Sequence, residues 1–461
     1  MGILGIILSL AGLMYLAYRG INVLLLAPLM AVLACIFHMG DAPIFATITQ
    51  VYMPAVGGYI VKYLPLFLLG SLFGKLMSES GSADTIAKLV SGKLGARHAI
   101  LAVIASCAVL TYGGVSLFVV AFCMEPLAVS LFREANLSRR FIPGAIAVGA
   151  FTFTMTALPG TPAIQNAIPM PFFGTDTFAA PGLGLIASLI MGGFGIWWMI
   201  RRSRKAQQAG EGFTEKEVAH TIFAKENHPS ALSAFAPLLI VFAANFIFSK
   251  FVMLNWDASF LAEPKFGATT LNKVIGTWAL VAALVLGIIA VLVLHLKRIK
   301  NPIEAINKGT LDCMLPVFNT ASEVGYGNTI ASLASFTLLK DAVLNVGGSN
   351  PVVSEAIAVN VLAGITGSSS GGLSIALEAL GKTYLEMAQA QGISPELLHR
   401  VGTIASGGFD TLPHNGAVIT LLAICGMDHK RSYFDIFMVA VAFPVLATTT
   451  VVILGTMFGS F

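Results

Sequence analysis

The sequence predicts an all-α polytopic membrane protein made of two inverted-topology repeats, each with five spans and one re-entrant hairpin. Three observations predict it. Of 461 residues, 56% are hydrophobic and only 11% charged, where a soluble domain carries about a quarter charged residues. Mean hydropathy is +0.83, and apolar runs of about 20 residues, the length that crosses a bilayer as helix, recur along the whole chain. Finally, three patterns of the first half return in order in the second. Leu64-Pro65 returns as Leu315-Pro316, Gly113-Gly114-Val115-Ser116 as Gly371-Gly372-Leu373-Ser374, and Leu158-Pro159 as Leu412-Pro413, at offsets of 251, 258 and 254 residues. A nearly fixed period signals a repeat, and paired Gly/Pro-interrupted apolar segments point to a secondary transporter with its substrate at the breaks. Barrel strands fit poorly, because the segments are long and uniformly apolar rather than alternating.

The apolar runs place spans at 2–17, 20–38, 56–78, 142–160, 182–200, 233–253, 274–296, 310–334, 401–424 and 434–457. The first lacks a basic n-region and a small-residue cleavage site, so it reads as a span and not a signal peptide. Segments 99–131 and 353–385 differ: each is broken by a Gly-Gly pair and bounded by polar residues. Arms of roughly 16 residues are short for a crossing, so both read as re-entrant hairpins, tolerable at depth only if buried in protein or lining a cavity.

Basic residues orient the chain. Lys88, Lys93, Arg97, Arg133, Arg139, Arg140, Arg201, Arg202, Lys297, Arg298, Lys430 and Arg431 fall on one side, which the positive-inside rule makes cytoplasmic. Both termini are then outside, and loops 39–55 and 166–181 are external and free of Lys and Arg. Five crossings per half invert the second repeat relative to the first. The domains are the first repeat 1–200, a polar cytoplasmic linker 201–232 that carries His220 and His228 as surface residues, and the second repeat 233–461. Five cysteines scattered through apolar stretches, Cys35, Cys107, Cys123, Cys313 and Cys425, suggest neither disulfides nor a metal site. They read as packing residues.

The chemistry concentrates at three places. The tip of the second hairpin, Thr366-Gly367-Ser368-Ser369-Ser370-Gly371, is costly in an apolar medium unless its hydroxyls and amides are used, and free amides at a broken helix end bind anions. A carboxylate satisfies both, although packing through small residues is the bland alternative. The first tip offers Gly113, Gly114 and Ser116. The first interrupted span carries Thr152, Thr154, Thr156 and Thr161 with Pro159, Pro162, Gln165 and Asn166, and its prolines should break the helix. Its counterpart is Asp410-Thr411-Leu412-Pro413-His414-Asn415-Gly416. Intramembrane ionisable groups are functional by default. Proton-coupling candidates are His414, whose ordinary pKa lies nearest neutrality, then Asp410 and Glu323, ranked above Glu125 and Glu378. Bracing the break as a neutral donor is the other role open to His414. No Lys or Arg lies in any broken segment, so hydroxyls and amides should hold the carboxylate. Facing tips across a midplane site should bring Gly113, Gly114 and Ser116 near Thr161, and Ser368 to Ser370 near His414 and Asn415. No nucleotide loop, nucleophile elbow or zinc motif is present; a channel would need a more continuous hydrophilic pore.

At these residues the chain resembles the gluconate:proton symporter family of bacterial permeases, over nearly its whole length. Leu72-Phe73-Gly74-Lys75-Leu76 with Glu79-Ser80-Gly81, Thr366-Gly367-Ser368 and His414-Asn415 are similar to that family's signatures. Thr111-Tyr112-Gly113-Gly114-Val115-Ser116, Thr154-Met155-Thr156-Ala157-Leu158-Pro159-Gly160-Thr161 and Leu412-Pro413-His414-Asn415-Gly416 are most similar to its D-3-hydroxybutyrate permease branch. The resemblance implies uptake of a small organic acid anion by proton symport, with elevator-type transport domains moving against a scaffold; a gluconate, sugar-acid or other carboxylate carrier, coupled to sodium in place of the proton, is the alternative. It also implies a homodimer in the lipid of the bacterial inner membrane, with no cofactor and no nucleic-acid partner. Gluconate carriers have an Asp after the first turn, where this chain has Gly114-Val115, and a Pro-Pro-His-Pro-Gly break, where it has Ala157-Leu158-Pro159-Gly160-Thr161. Fewer polar groups suit a smaller, less hydroxylated substrate.

Overall fold

The computed structural model describes residues 2–19, 21–38, 40–95, 98–115, 117–214, 228–346, 350–413 and 415–461. These residues form helices and turns without a strand, as lipid demands of backbone groups that must be satisfied within their own segment. Five helices are long and apolar enough to cross a bilayer: Ile44–Glu79, Pro181–Gln208, Ala231–Asn255, Leu271–Arg298 and His429–Phe458. Leu189, Leu239, Val293 and Ile453 stand exposed on four of them, a surface suited to acyl chains.

The other expected spans are shorter or interrupted. Gly2–Tyr18 and Val23–Ile36 have 17 and 14 residues and form a core of their own, with Ile6, Leu13, Ala27 and Ala31 packed near Tyr326 and Ile330 of helix Met314–Ser332. The expected span 142–160 is regular only over Ile142–Ala150, and 401–424 is split into Pro395–Ser406 and Gly416–Ile424. The expected loop 39–55 is mostly helix from Ile44 onward. Its Pro54 lacks an N–H, but a wide π-turn at Ile48–Tyr52 accommodates the missing bond and the helix continues. The last helix repeats the device, with a π-turn at Met438–Ala442 two residues ahead of Pro444.

Pro181–Gln208 overruns its expected end at 200 into the linker. Beyond it Glu211 accepts from Arg140 Nε and Nη2 at 2.6 and 3.0 Å, which holds the Glu211 carboxyl below its usual range. The linker residues 215–227, with His220, lie outside the described residues.

Both hairpins are present as helix–turn–helix units. Their entry arms, Ala99–Tyr112 and Pro351–Thr366, have 14 and 16 residues, about 21 and 24 Å, short of the roughly 30 Å hydrocarbon core. Leu117–Glu134 and Ser369–Ala390 return. The second turn is not at the Gly371-Gly372 pair. The left-handed residue there is Gly367, φ +62°, as Gly114, φ +92°, is in the first. Gly371 and Gly372 lie inside the return helix, where a Cβ on Gly372 would strike the backbone of Ala363 on the entry arm. Pairing Gly114 with Gly367 gives an offset of 253 residues, in line with the other two patterns.

Candidate functional site

Each hairpin tip lies on the interrupted helix of its own half. In the first, Tyr112 donates its hydroxyl to Pro159 O at 2.8 Å, and a Cβ on Gly114 would come within 2.9 Å of Pro162 Cγ. Thr161, between the two prolines, is fully buried and accepts from Ala163 N at 3.4 Å. Gly113 packs on Leu238. Ser116 lies outside the described residues.

In the second half, Asn415 joins tip to break. Its Nδ2 donates to Gly367 O at 2.7 Å and to Asp410 O at 2.6 Å, and its Oδ1 caps the next helix by accepting from Val418 N at 2.9 Å. Ser368 caps the return arm by accepting from Gly371 N at 3.0 Å. The Asn415–Gly367 bond thus brings together the N-terminal ends of Ser369–Ala390 and Gly416–Ile424, whose first amides have no partner inside their helices and whose dipoles are positive there. Ser369 Oγ pairs with Ser406 Oγ at 2.8 Å, and Ser370 Oγ with Thr320 Oγ1 at 3.3 Å. Thr366 is buried and turns its hydroxyl back to Leu362 O. The break is also held by the last helix, through Thr411 to Ala440 O, Tyr433 to Thr411 O, and His429 with Pro413 O. His414 lies outside the described residues.

The four acids differ in their partners. Glu125 accepts from Arg139 at 3.1 Å, both buried, and Glu378 sits 3.7 Å from Lys62. Among the described residues, no hydrogen-bond partner meets Glu323 Oε2 or Asp410 Oδ1, both buried. Glu323 lies against the hairpin, since a Cβ on Gly371 would collide with its carboxylate.

The halves meet at their breaks, through residues that sequence reasoning missed. Arg400 is fully buried, and all five of its N–H donors point at the first break: Nε and Nη2 to Ala179 O at 2.9 and 2.7 Å, Nη2 also to Thr177 O, and Nη1 to Ala157 O and Asn166 Oδ1, each at 3.3 Å. His399 Nε2 contacts Asn166 Oδ1 at 3.1 Å while Nδ1 meets Thr175 Oγ1 at 2.6 Å; an Nε2–H tautomer satisfies both. Asn166 donates to Thr161 O and Thr177 O, and Asn245 donates to Thr177 Oγ1 and Gly160 O. Thr156 packs on Gly407, whose added Cβ would lie 2.9 Å from Thr156 Cγ2; Gln165 is buried nearby in sequence. No Lys or Arg lies in either broken segment itself, but Arg400 reaches the first from another helix. That helix was expected to start at 401 but begins at Pro395, capped by Ser394. The Ser-Pro pair ahead of an apolar run was the overlooked signal. With five donors occupied by neutral acceptors, Arg400 is a brace.

Comparison with known proteins places these features. The profile of the GntP family permeases matches residues 1–319. A Bacillus subtilis (strain 168) protein described as the uncharacterized transporter YxjC is 42% identical over 96% of this chain and 97% of its own. An uncharacterized transporter of Haemophilus influenzae is 28% identical over 40% of this chain and 42% of its own. Among solved structures, the Alcanivorax borkumensis YdaH transporter shares the fold, with a TM-score of 0.54 at 17% identity over 90% of each chain.

Proposed function

The chain belongs to the GntP permease family, a multi-pass membrane transporter and not an enzyme, and from that premise we propose that it imports a small organic acid anion together with a proton by alternating access. The substrate is a 3-hydroxybutyrate-like monocarboxylate, and the membrane is the bacterial inner membrane with both termini outside. One observation carries the reading: the Asn415 bond to Gly367 sets two helix N-termini side by side beside the buried Asp410 and Glu323. Such ends favour a carboxylate, and buried acids without cations are the groups that take up protons.

In this reading the carboxylate is held by hydroxyls and amides of Thr366 to Ser370 and Asn415, with Gly113, Gly114, Ser116, Thr156, Thr161, Gln165 and Asn166 completing the site from the first half. Arg400 supports that division of labour because its donors are already occupied. His414, four residues after Asp410 in the sequence, takes or relays the proton, with Asp410 and Glu323 as its alternates. Hairpins and breaks move together against the remaining helices, in a homodimer.

A monocarboxylate entering with one proton moves no net charge, so a pH gradient drives it and a membrane potential does not; one uncompensated charge would cost about 2.3 kcal/mol per 100 mV. The experiment is uptake of labelled 3-hydroxybutyrate into proteoliposomes under a pH gradient or a potassium–valinomycin potential alone, with gluconate, lactate and citrate as competitors. Accumulation with the pH gradient only, competed best by lactate, is expected. Drive from a sodium gradient alone overturns proton symport, simple equilibration indicates a channel, and stronger competition by gluconate moves the substrate class. His414→Gln should abolish the pH-gradient response; if it does not, the proton travels by Asp410 or Glu323.

A further inference from the structure

The entry arm of the second hairpin holds an acid that this reading leaves unused. Glu355, in the first two turns of Pro351–Thr366, is 0% exposed, and neither carboxylate oxygen has a hydrogen-bond partner among the described residues. It faces Gly402 on Pro395–Ser406. A Cβ there would lie 2.7 Å from Glu355 Oε1, so the glycine leaves the space that the carboxyl group fills. Further along the arm, Asn360 Oδ1 is likewise without a partner, against Gly408 in the second break, and Gly364 rests on Phe409. Asp410, with its own unpartnered Oδ1, follows. Glu355, Asn360 and Asp410 thus carry unsatisfied oxygens at intervals from the foot of the hairpin to the break, the first two faced by glycines.

An ionised carboxylate buried without a cation costs several kcal/mol, whereas the protonated acid avoids most of that penalty. Tyr384 on the return arm is the titratable group nearby, and Ser354 donates to its hydroxyl at 3.3 Å. His399 and Arg400, on the helix that carries Gly402, turn to Thr175, Asn166 and Ala179 instead. Phe443–Phe458 brings no titratable residue, and Asp341 on Phe336–Val346 and Tyr15 on Gly2–Tyr18 are exposed.

We infer that Glu355 is a proton-binding station of the transport cycle, at the foot of the hairpin, where the unsatisfied oxygens that continue through Asn360 to Asp410 begin. A proton from water forms an O–H bond to one carboxylate oxygen on the side from which substrate enters. The same bond breaks when the proton passes to water on the other side, and no other bond changes. The inference rests on the proton-symport reading above.

Two assays on reconstituted Glu355→Gln separate the inference from that reading. A one-to-one symporter can accumulate substrate about tenfold per unit of pH gradient, and wild type is the control for symport itself. Gln imitates the protonated acid, so Glu355→Gln should equilibrate substrate without accumulating it, while counterflow of labelled against unlabelled substrate at equal pH persists with a flattened pH profile. Accumulation at the wild-type level with an unchanged profile overturns the inference and leaves symport standing; a wild type that ignores the pH gradient overturns symport. If Glu355→Gln loses counterflow as well, Glu355→Asp decides. Recovery of both activities supports a titrating role, and recovery of counterflow without accumulation, or of neither, overturns it.

Discussion

The two interrupted helices occupy matching places in the chain and are finished in opposite ways. The first, around Pro159, is tied off: Arg400, Asn166 and Asn245 spend their donors on carbonyls of residues 157, 160, 161, 177 and 179. The second, around Pro413, is tied to its hairpin by Asn415 but leaves Asp410 Oδ1 and, beside the tip, Glu323 Oε2 and Ser374 Oγ without partners among the described residues. A buried acceptor left unpaired costs about 1–3 kcal/mol, so such groups persist only where something else selects them. The two breaks share a shape and not a chemistry: in the reading proposed above, the first mainly positions the site and the second takes up the proton.

The largest effect that tests this contrast is on stability. Arg400→Met keeps an unbranched side chain but removes five donors at once and strands the carbonyls of Ala157 and Ala179, while Thr177 O and Asn166 Oδ1 keep Asn166 and His399 as partners. At about 1–3 kcal/mol per stranded group, partly recovered by relaxation, the expected loss is about 2–4 kcal/mol. Thermal unfolding in detergent measures it. Asp410→Asn, which strands nothing, should unfold near the wild-type temperature. If Asp410→Asn is as damaging as Arg400→Met, the first break is no stiffer than the second and the contrast fails.

A middle-sized effect concerns binding. Hydrogen bonds to a charged group are worth about 1.5–3 kcal/mol, so losing one raises the half-saturating concentration roughly tenfold or more. Ser369→Ala, beside the converging helix ends, should show that rise. Thr161→Val should also raise it, but by less, because Thr161 lies on the first break and not beside the converging helix ends. Uptake kinetics over a concentration series decide the order. An equal or greater rise for Thr161→Val would make the first break a substrate site in its own right. Unchanged kinetics in both variants would remove the hydroxyls from the site.

How far the sequence shows this contrast depends on where each group originates. Composition and run length are enough for an all-helical membrane protein, and prolines 159, 162 and 413 announce both breaks, because a proline removes its own donor wherever it falls. The hairpins are legible from their glycines, but the register of the second tip is not. Gly371-Gly372 looks like the turn, yet those glycines serve close packing against Ala363 and Glu323, and only the backbone angle at Gly367 identifies the true corner. Proline alone is no mark of a break, since Pro54 and Pro444 lie in helix that continues with a π-turn beside each. The brace at the first break was hidden because Arg400 comes from the other half of the chain, and a charge at the edge of an apolar run reads as a flank facing water. Its burial is a tertiary fact. The acids Glu323 and Asp410 could be singled out by position, whereas Glu355 blended into the polar foot of its hairpin.

The smallest expected effect separates the two tips themselves. Gly114 and Gly367 both take positive φ, +92° and +62°, and a left-handed L-residue costs about 1–2 kcal/mol. Gly367 lies at the centre of the ordinary left-handed region, so Gly367→Ala should lose no more than that. Gly114→Ala carries the same penalty, lies farther from that centre, and brings a Cβ within 2.9 Å of Pro162 Cγ, so the proline ring must shift. If the first tip only positions, Gly114→Ala lowers the unfolding temperature slightly more than Gly367→Ala yet leaves the half-saturating concentration within about twofold, under 0.5 kcal/mol. Gly367→Ala, beside the Asn415 bond, should be the gentler change in stability and the greater one in apparent affinity. Paired melting and uptake curves for the two alanine variants read both quantities. The reverse pattern, with affinity lost at Gly114 and kept at Gly367, would transfer the substrate to the first half and leave the unpaired acids of the second without a ligand beside them.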